Sequence, residues 1–214
     1  MSKPPDSLVQ PMEVEPAVFD RAEMNHIMTG LVVPRPIGWI STVSRDGVAN
    51  LSPFSFFTVA SSFPPHVLYS SASETKDSAV NARETGEFVV NIADRSLIDA
   101  LVGSSALVAP AVDEFELVGL ERAPSMKVRP PRVARAKAHF ECEVRQILPI
   151  GTSTVVIGEV VHIHIDPSIW ANGRVQADLL DPVGRLGGSA YAGLGEIFNR
   201  RRPAVDERGG KATD

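Results

Sequence analysis

Residues 70–78, "SSASETKDS", carry a lysine and several hydroxyls directly into "KDSAVNARET". That is a short helical pattern closed by Gly86, where a left-handed cap is wanted. Lys76 falls at or just before the helix N-terminus, where a cation opposes the helix dipole at a cost of roughly 0.3–1 kcal/mol. A bound anion reverses the sign of that argument. Lys76, the Thr75 and Ser78 hydroxyls and the free N–H groups of the first turn together make a phosphate cradle. The competing reading is a solvated lysine beside an ordinary Thr/Asp cap.

Two other stretches place reactive types at regular spacing. In "VVHIHID", His162, His164 and Asp166 share one strand face, opposite Val161, Ile163 and Ile165. Ligands at that spacing could hold a metal, but no other His or Cys cluster offers to complete the set. A polar barrel face, part of it lining a pocket, is the favoured reading, and no metal is assigned. In "GRLGGSAYAG", residues 184–193, glycines allow close backbone approach, and Arg185 and Tyr191 could reach a planar or charged ligand. The alternative is a flexible connection whose tyrosine packs on the barrel.

The elements that position these residues are mostly strands. "FDRAEMNHIMTGLV" reads as a short helix and "VVPRPIGWISTVSRDGVANLS" as β, with Ile37, Trp39, Ser41 and Val43 on one face. Asp46-Gly47 predicts a tight hairpin back through "VANLSPFSFF". There Pro53 interrupts the ladder, among Phe54, Phe56, Phe57 and the hydroxyls of Ser52 and Ser55. "HVLYSSA", "EFVVNIA", "AKAHFECEVRQILPI" and "STVVIGEVVHIHID" are further strands, the last two joined across "PIGTS"; "SLIDALVG" is helical and the glycine-rich 182–195 segment is expected to be irregular. Strands and helices do not alternate as βαβ units. The expected class is therefore mainly β with peripheral helices (α+β), an antiparallel barrel rather than a doubly wound sheet.

Composition narrows the function classes. The 214 residues are 43% hydrophobic and 22% charged with net charge -5, which argues against a nucleic-acid surface. Cys142 is the single cysteine and reads as a small buried hydrophobe on a strand. No apolar run approaches a membrane span and the N-terminus lacks a signal-type apolar core, so a cytoplasmic protein without membrane or nucleic-acid partners is expected. One domain over 17–203 is expected, with loose arms at 1–16 and 204–214. Phosphate-loop, dinucleotide-fold, nucleophile-elbow and paired-cysteine motifs are all absent.

Taken in order, "VVPRPIGWISTVSRDGVANLSPFSFF", "KDSAVNARETGEFVVNIA", "VDEFELVGL" and "VIGEVVHIHID…GRLGGSAYA" resemble the flavin reductase-like family, over roughly residues 18–203. The resemblance implies an FMN-binding split barrel, a homodimer and an NAD(P)H-dependent FMN reductase, with a monooxygenase or an electron-transfer protein as candidate partner. It further implies flavin contacts at Ser41, Thr42, Asn50, Leu51, Ser52, Pro53, Phe54, Ser55 and Phe56. The phosphate end falls at Ser71, Lys76, Asp77 and Ser78, and NAD(P)H docks transiently near His162, Arg185 or Tyr191. Arg35 could add charge. Hydride transfer needs stacking and distance more than an acid or base, so no residue is nominated as a proton-transfer catalyst. Two other readings remain open: an electron carrier that binds FMN without catalysis, and a split-barrel oxidase of a small metabolite.

Overall fold

Helix α1 (Arg21–Leu31) starts at a capping box. Asp20 Oδ1 accepts from Glu23 N at 2.8 Å, and the Glu23 carboxylate accepts from Asp20 N at 3.0 Å. No residue of α1 is buried. The computed structural model describes residues 12–202. The expected C-terminal tail and all but the last few residues of the expected N-terminal arm lie outside that range.

Strands β1 (Arg35–Pro36), β2 (Gly38–Val43) and β3 (Ala49–Phe54) follow α1. The β2–β3 hairpin turns at Asp46-Gly47, with Gly47 at φ 87° and Ser44 N donating to Val48 O at 2.9 Å. Next come β4 (Phe57–Ser62), β5 (Pro65–Ser71), α2 (Asp77–Thr85) and β6 (Glu87–Ile92). Helix α2 ends at Gly86, whose φ of 73° is the left-handed cap. Helices α3 (Ile98–Gly103) and α4 (Glu114–Leu117) and the short pair β7 (Arg122–Ala123) and β8 (Arg132–Val133) form a covering layer. The long strands β9 (Ala138–Ile150) and β10 (Ser153–Ile165) precede a small hairpin, β11 (Trp170–Ala171) with β12 (Arg174–Val175), and helix α5 (Ala177–Leu180). Strands β13 (Gly184–Arg185) and β14 (Tyr191–Ala192) come last.

Seven strands make one antiparallel sheet in the order β3-β2-β6-β9-β10-β5-β4. Ile40, Phe54, Phe57, Tyr69, Phe88, Cys142 and Val156 are buried in one cluster, and each comes from a different strand of that sheet. A sheet whose every strand reaches the same cluster has curled around it. The end strands β3 and β4 are not bonded to each other, so the barrel is split. Burial also pushes the Cys142 thiol up, as befits a packing residue. On the outer face Trp39 and Leu51 pack with Leu97, Leu101, Phe115 and Val133 from the covering layer. Both faces of β2 are therefore buried.

One expectation of the sequence differs. The glycine-rich segment is partly regular: β13 pairs with β14 and with β1, making a three-stranded sheet. Gly188, at φ 60°, allows the turn, which is closed by Leu186 N donating to Ala190 O at 2.9 Å. Strands of two residues carry no alternation for a sequence to display.

Gly158 in β10 marks the tightest place inside the barrel. A Cβ there would stand 2.5 Å from Phe88 Cζ and 3.1 Å from Cys142 Cβ. Gly158→Ala is expected to cost about 1–3 kcal/mol through overpacking. A urea midpoint equal to the wild type's would contradict this packing.

Candidate functional site

Where β3 runs out toward β4, the wall of the barrel opens into a cavity of about 400 Å³. The size suits a small molecule, for which pockets of roughly 300–1,000 Å³ are usual. Pro53, Phe54, Ser55 and Phe56 form one side of it, and Asn25, His26 and Thr29 of α1 another. Lys76 lies on its wall at the N-cap of α2, with its side chain unused by the cap. Arg185 and Tyr191 enter from β13 and β14.

The electrostatics are one-sided. Arg35, Lys76 and Arg185 all line the cavity, and among the described residues no carboxylate does. The chain as a whole is acidic, at net charge -5. Arg35 and Arg185 are direct neighbours across β1 and β13. Burial first, and then the Arg185 charge, hold the Arg35 guanidinium below its ordinary pKa. The Arg185 guanidinium lies 4.4 Å from the centroid of the Tyr191 ring, bonds its hydroxyl and donates to Gly188 O at 2.5 Å. Such a lining suits a ligand that is flat, part apolar and anionic.

The sequence-derived site residues divide into two groups. Pro53, Phe54, Ser55, Phe56, Lys76, Arg185 and Tyr191 meet around the cavity. The others sit beneath it or elsewhere. Ser41 faces the covering layer and donates to Pro131 O at 2.5 Å, and Leu51 is core on that same face. Ser52 is partly buried within β3, and Ser71 Oγ donates to Ser73 O at 2.7 Å. Asp77 is partly buried, and desolvation holds its carboxyl above the ordinary range against the pull of Lys76. His162 lies outside the cavity lining, its ring 4.6 Å from that of His164.

Thr42, Asn50 and Ser78 join in a buried polar network. Asn50 Oδ1 accepts from Ser78 Oγ at 2.7 Å and from Thr42 Oγ1 at 3.3 Å. Asn50 Nδ2 donates to both oxygens of Glu114 at 2.9 and 3.0 Å, and Leu51 N donates to Glu114 Oε2 at 2.9 Å. This network ties α2, and so Lys76, to β2 and β3. Glu114 and the α1 residues were missed in the sequence. Asn25, His26 and Thr29 stand at helical spacing on one face, which is a usable signal; a single glutamate in "VDEFELVGL" gives none.

Residues 29–177 match the model of the flavin reductase-like domain. The chain belongs to the flavin reductase-like family. Within that family, an uncharacterised protein of Halalkalibacterium halodurans is 34% identical over 206 residues, covering 92% of this chain and 99% of its own. The NADH flavin reductase of Kitasatospora aureofaciens is 31% identical over 160 residues, or 74% of this chain and 79% of its own. Among solved structures, component B of nitrilotriacetate monooxygenase from Bacillus cereus superposes with a TM-score of 0.86 at 32% identity, over 89% of this chain and 99% of that one. The flavin reductase-like domain here is thus an oxidoreductase-family split barrel over nearly all its described length. No helix among the described residues is long and apolar enough to cross a membrane.

Two outcomes test this geometry. Glu114→Ala strands the Leu51 N–H and the Asn50 amide in a buried place, and a loss of about 3 kcal/mol is expected in chemical denaturation. The second concerns the histidines. His139 is buried, its Nε2 donates to Val133 O at 2.9 Å and its Nδ1 has no partner. Burial, with the Arg132 and His164 charges, lowers its pKa to about 4. The unfolded chain then binds the extra proton first, so stability is full above the unfolded value of about 6.5 and falls as pH drops toward about 4. The depressed carboxyls of Glu141 and Asp94 act lower in pH. Between pH 6.5 and 4.5 the wild type should lose about 2–3 kcal/mol more than His139→Gln. Parallel stability curves would remove this role from His139.

Proposed function

We propose that this protein binds FMN in the cationic cavity and reduces it with NAD(P)H, acting as a homodimer in the cytoplasm and passing reduced flavin to a partner monooxygenase. The observation that carries the reading is the lining itself: Lys76 and Arg185 at the wall, no carboxylate, and phenylalanines beside a strand end, in an acidic protein. Membership of the flavin reductase-like family supports it. A relative named as an NADH flavin reductase and a structural neighbour named as a monooxygenase component point to the donor and to the kind of partner.

The protein's own groups have separate tasks in this reading. Lys76, at the α2 N-cap, holds the phosphate with a charge-assisted bond and the first-turn N–H groups beside it. Asn50 and Ser78 brace that turn from below. Pro53 to Phe56 give the ring system an apolar rest at the end of β3, and Ser55 offers a hydroxyl to its edge. When bound, the flavin supplies two-electron chemistry, taking hydride from the nicotinamide. Arg185 and Tyr191 present charge and a ring to the incoming NAD(P)H, while His162 stands farther round β10. Orientation and water exclusion are what the chain contributes to rate; no side chain is assigned a proton.

The purified protein is expected to bind FMN and, in stopped flow, to bleach it on addition of NADH or NADPH. If neither nicotinamide bleaches it, the reductase reading falls. Lys76→Ala should weaken FMN binding by about 1–3 kcal/mol, roughly 5- to 150-fold in Kd. An unchanged Kd would take the phosphate away from Lys76.

A further inference from the structure

Among the three cavity cations Arg35 is the buried one, at 6% exposure. Its guanidinium is already committed to the protein. Nη1 donates to Thr29 O at 2.5 Å, in the last turn of α1, and to Val32 O at 2.8 Å, at its C-cap. Nη2 donates to Leu186 O at 2.8 Å, and Nε to Ser55 Oγ at 3.3 Å. Four of the five guanidinium N–H groups are thereby used. The three segments they reach, the end of α1, the β3–β4 connection and the β13–β14 turn, are three walls of the cavity.

Helix α1 gives that arrangement its meaning. No residue of α1 is fully buried, and only Met24 and Ile27 among its apolar side chains are partly so, which leaves it a slight apolar anchorage to the barrel. Its last carbonyls carry the partial negative charge of a helix C-terminus and lack partners within the helix. Arg35 supplies both the charge and the donors. The β13–β14 turn also comes close here: a Cβ on Gly187 would lie 3.6 Å from Gly30 Cα. A buried cation thus stands where a helix with no fully buried residue meets a turn without long strands.

We infer that Arg35 is a positioning residue, which holds α1, Ser55 and the β13–β14 turn together as walls of the cavity and does not itself serve as the ligand's counter-charge. Planarity matters to this task. A lysine ammonium has three donors around a point and can serve the helix carbonyls, but it cannot also span to Leu186 O and Ser55.

The experiment compares wild type, Arg35→Lys and Arg35→Met as full-length proteins. Amide hydrogen exchange in the absence of flavin is expected to quicken about tenfold or more across residues 24–32 in Arg35→Met, as lost charged hydrogen bonds imply. Amides of β6 and β9 should keep wild-type protection, and Arg35→Lys should recover part of the protection in α1. In turnover with NADH, the flavin KM and Kd should rise while kcat at saturating flavin holds. Wild-type exchange in α1, or equal loss across β6 and β9, would overturn the positioning role, as would a fall in kcat with KM unchanged. Only the flavin arm depends on the function proposed above. Failure of the wild type to bind FMN would sink that function and leave the exchange comparison to decide on Arg35.

Discussion

A sheet that curls around one apolar cluster without closing leaves two strand edges whose backbone groups must find other partners. In this chain the edges are β3 and β4, consecutive in sequence and at opposite ends of the strand order. Glu114 meets part of the demand by accepting from Leu51 N at 2.9 Å. Two residues along the same edge, Pro53 has no N–H to leave unpaired. Beyond it the cavity begins. The split is therefore the place where backbone, hydroxyl and cation converge, since elsewhere in the sheet the ladder uses the backbone up.

Charge is sorted in two layers around that edge. Beneath α2, a buried carboxylate, an amide and two hydroxyls satisfy one another, with Glu114 held above the ordinary carboxyl range chiefly by desolvation. Above it, the cavity wall is cationic. Each layer helps the other. The lower network fixes the helix end that presents Lys76, and it turns the Glu114 carboxylate toward amides and outside the cavity lining. A buried acid with three N–H donors on it competes poorly for a cation at the surface.

Much of the barrel was legible because its strands are long enough to show alternation and its turns use residues with special backbone freedom. Asp46-Gly47 and Gly86 stand where a hairpin and a helix cap were read. The face of a residue was harder to read where both faces are buried. Ser41 and Thr42 in β2 look alike in sequence, yet one donates to Pro131 O and the other to Asn50 Oδ1. Partners distant in sequence decided that, Pro131 lying 90 residues from Ser41. For the same reason Arg35 could be named but not placed: its acceptors are backbone carbonyls of segments whose approach no local pattern encodes.

The absence of any fully buried residue in α1 bears on how this cavity can change. A wall with no fully buried residue contributes little to the core of the barrel, so its exposed cavity-facing positions can change at small cost in stability. Asn25, His26 and Thr29 can be exchanged for other side chains without creating a void in the core or stranding a buried donor. Selection for a new ligand can thus act on this one helix while the strands stay unchanged, and the scaffold separates the residues that must persist from those that can diversify.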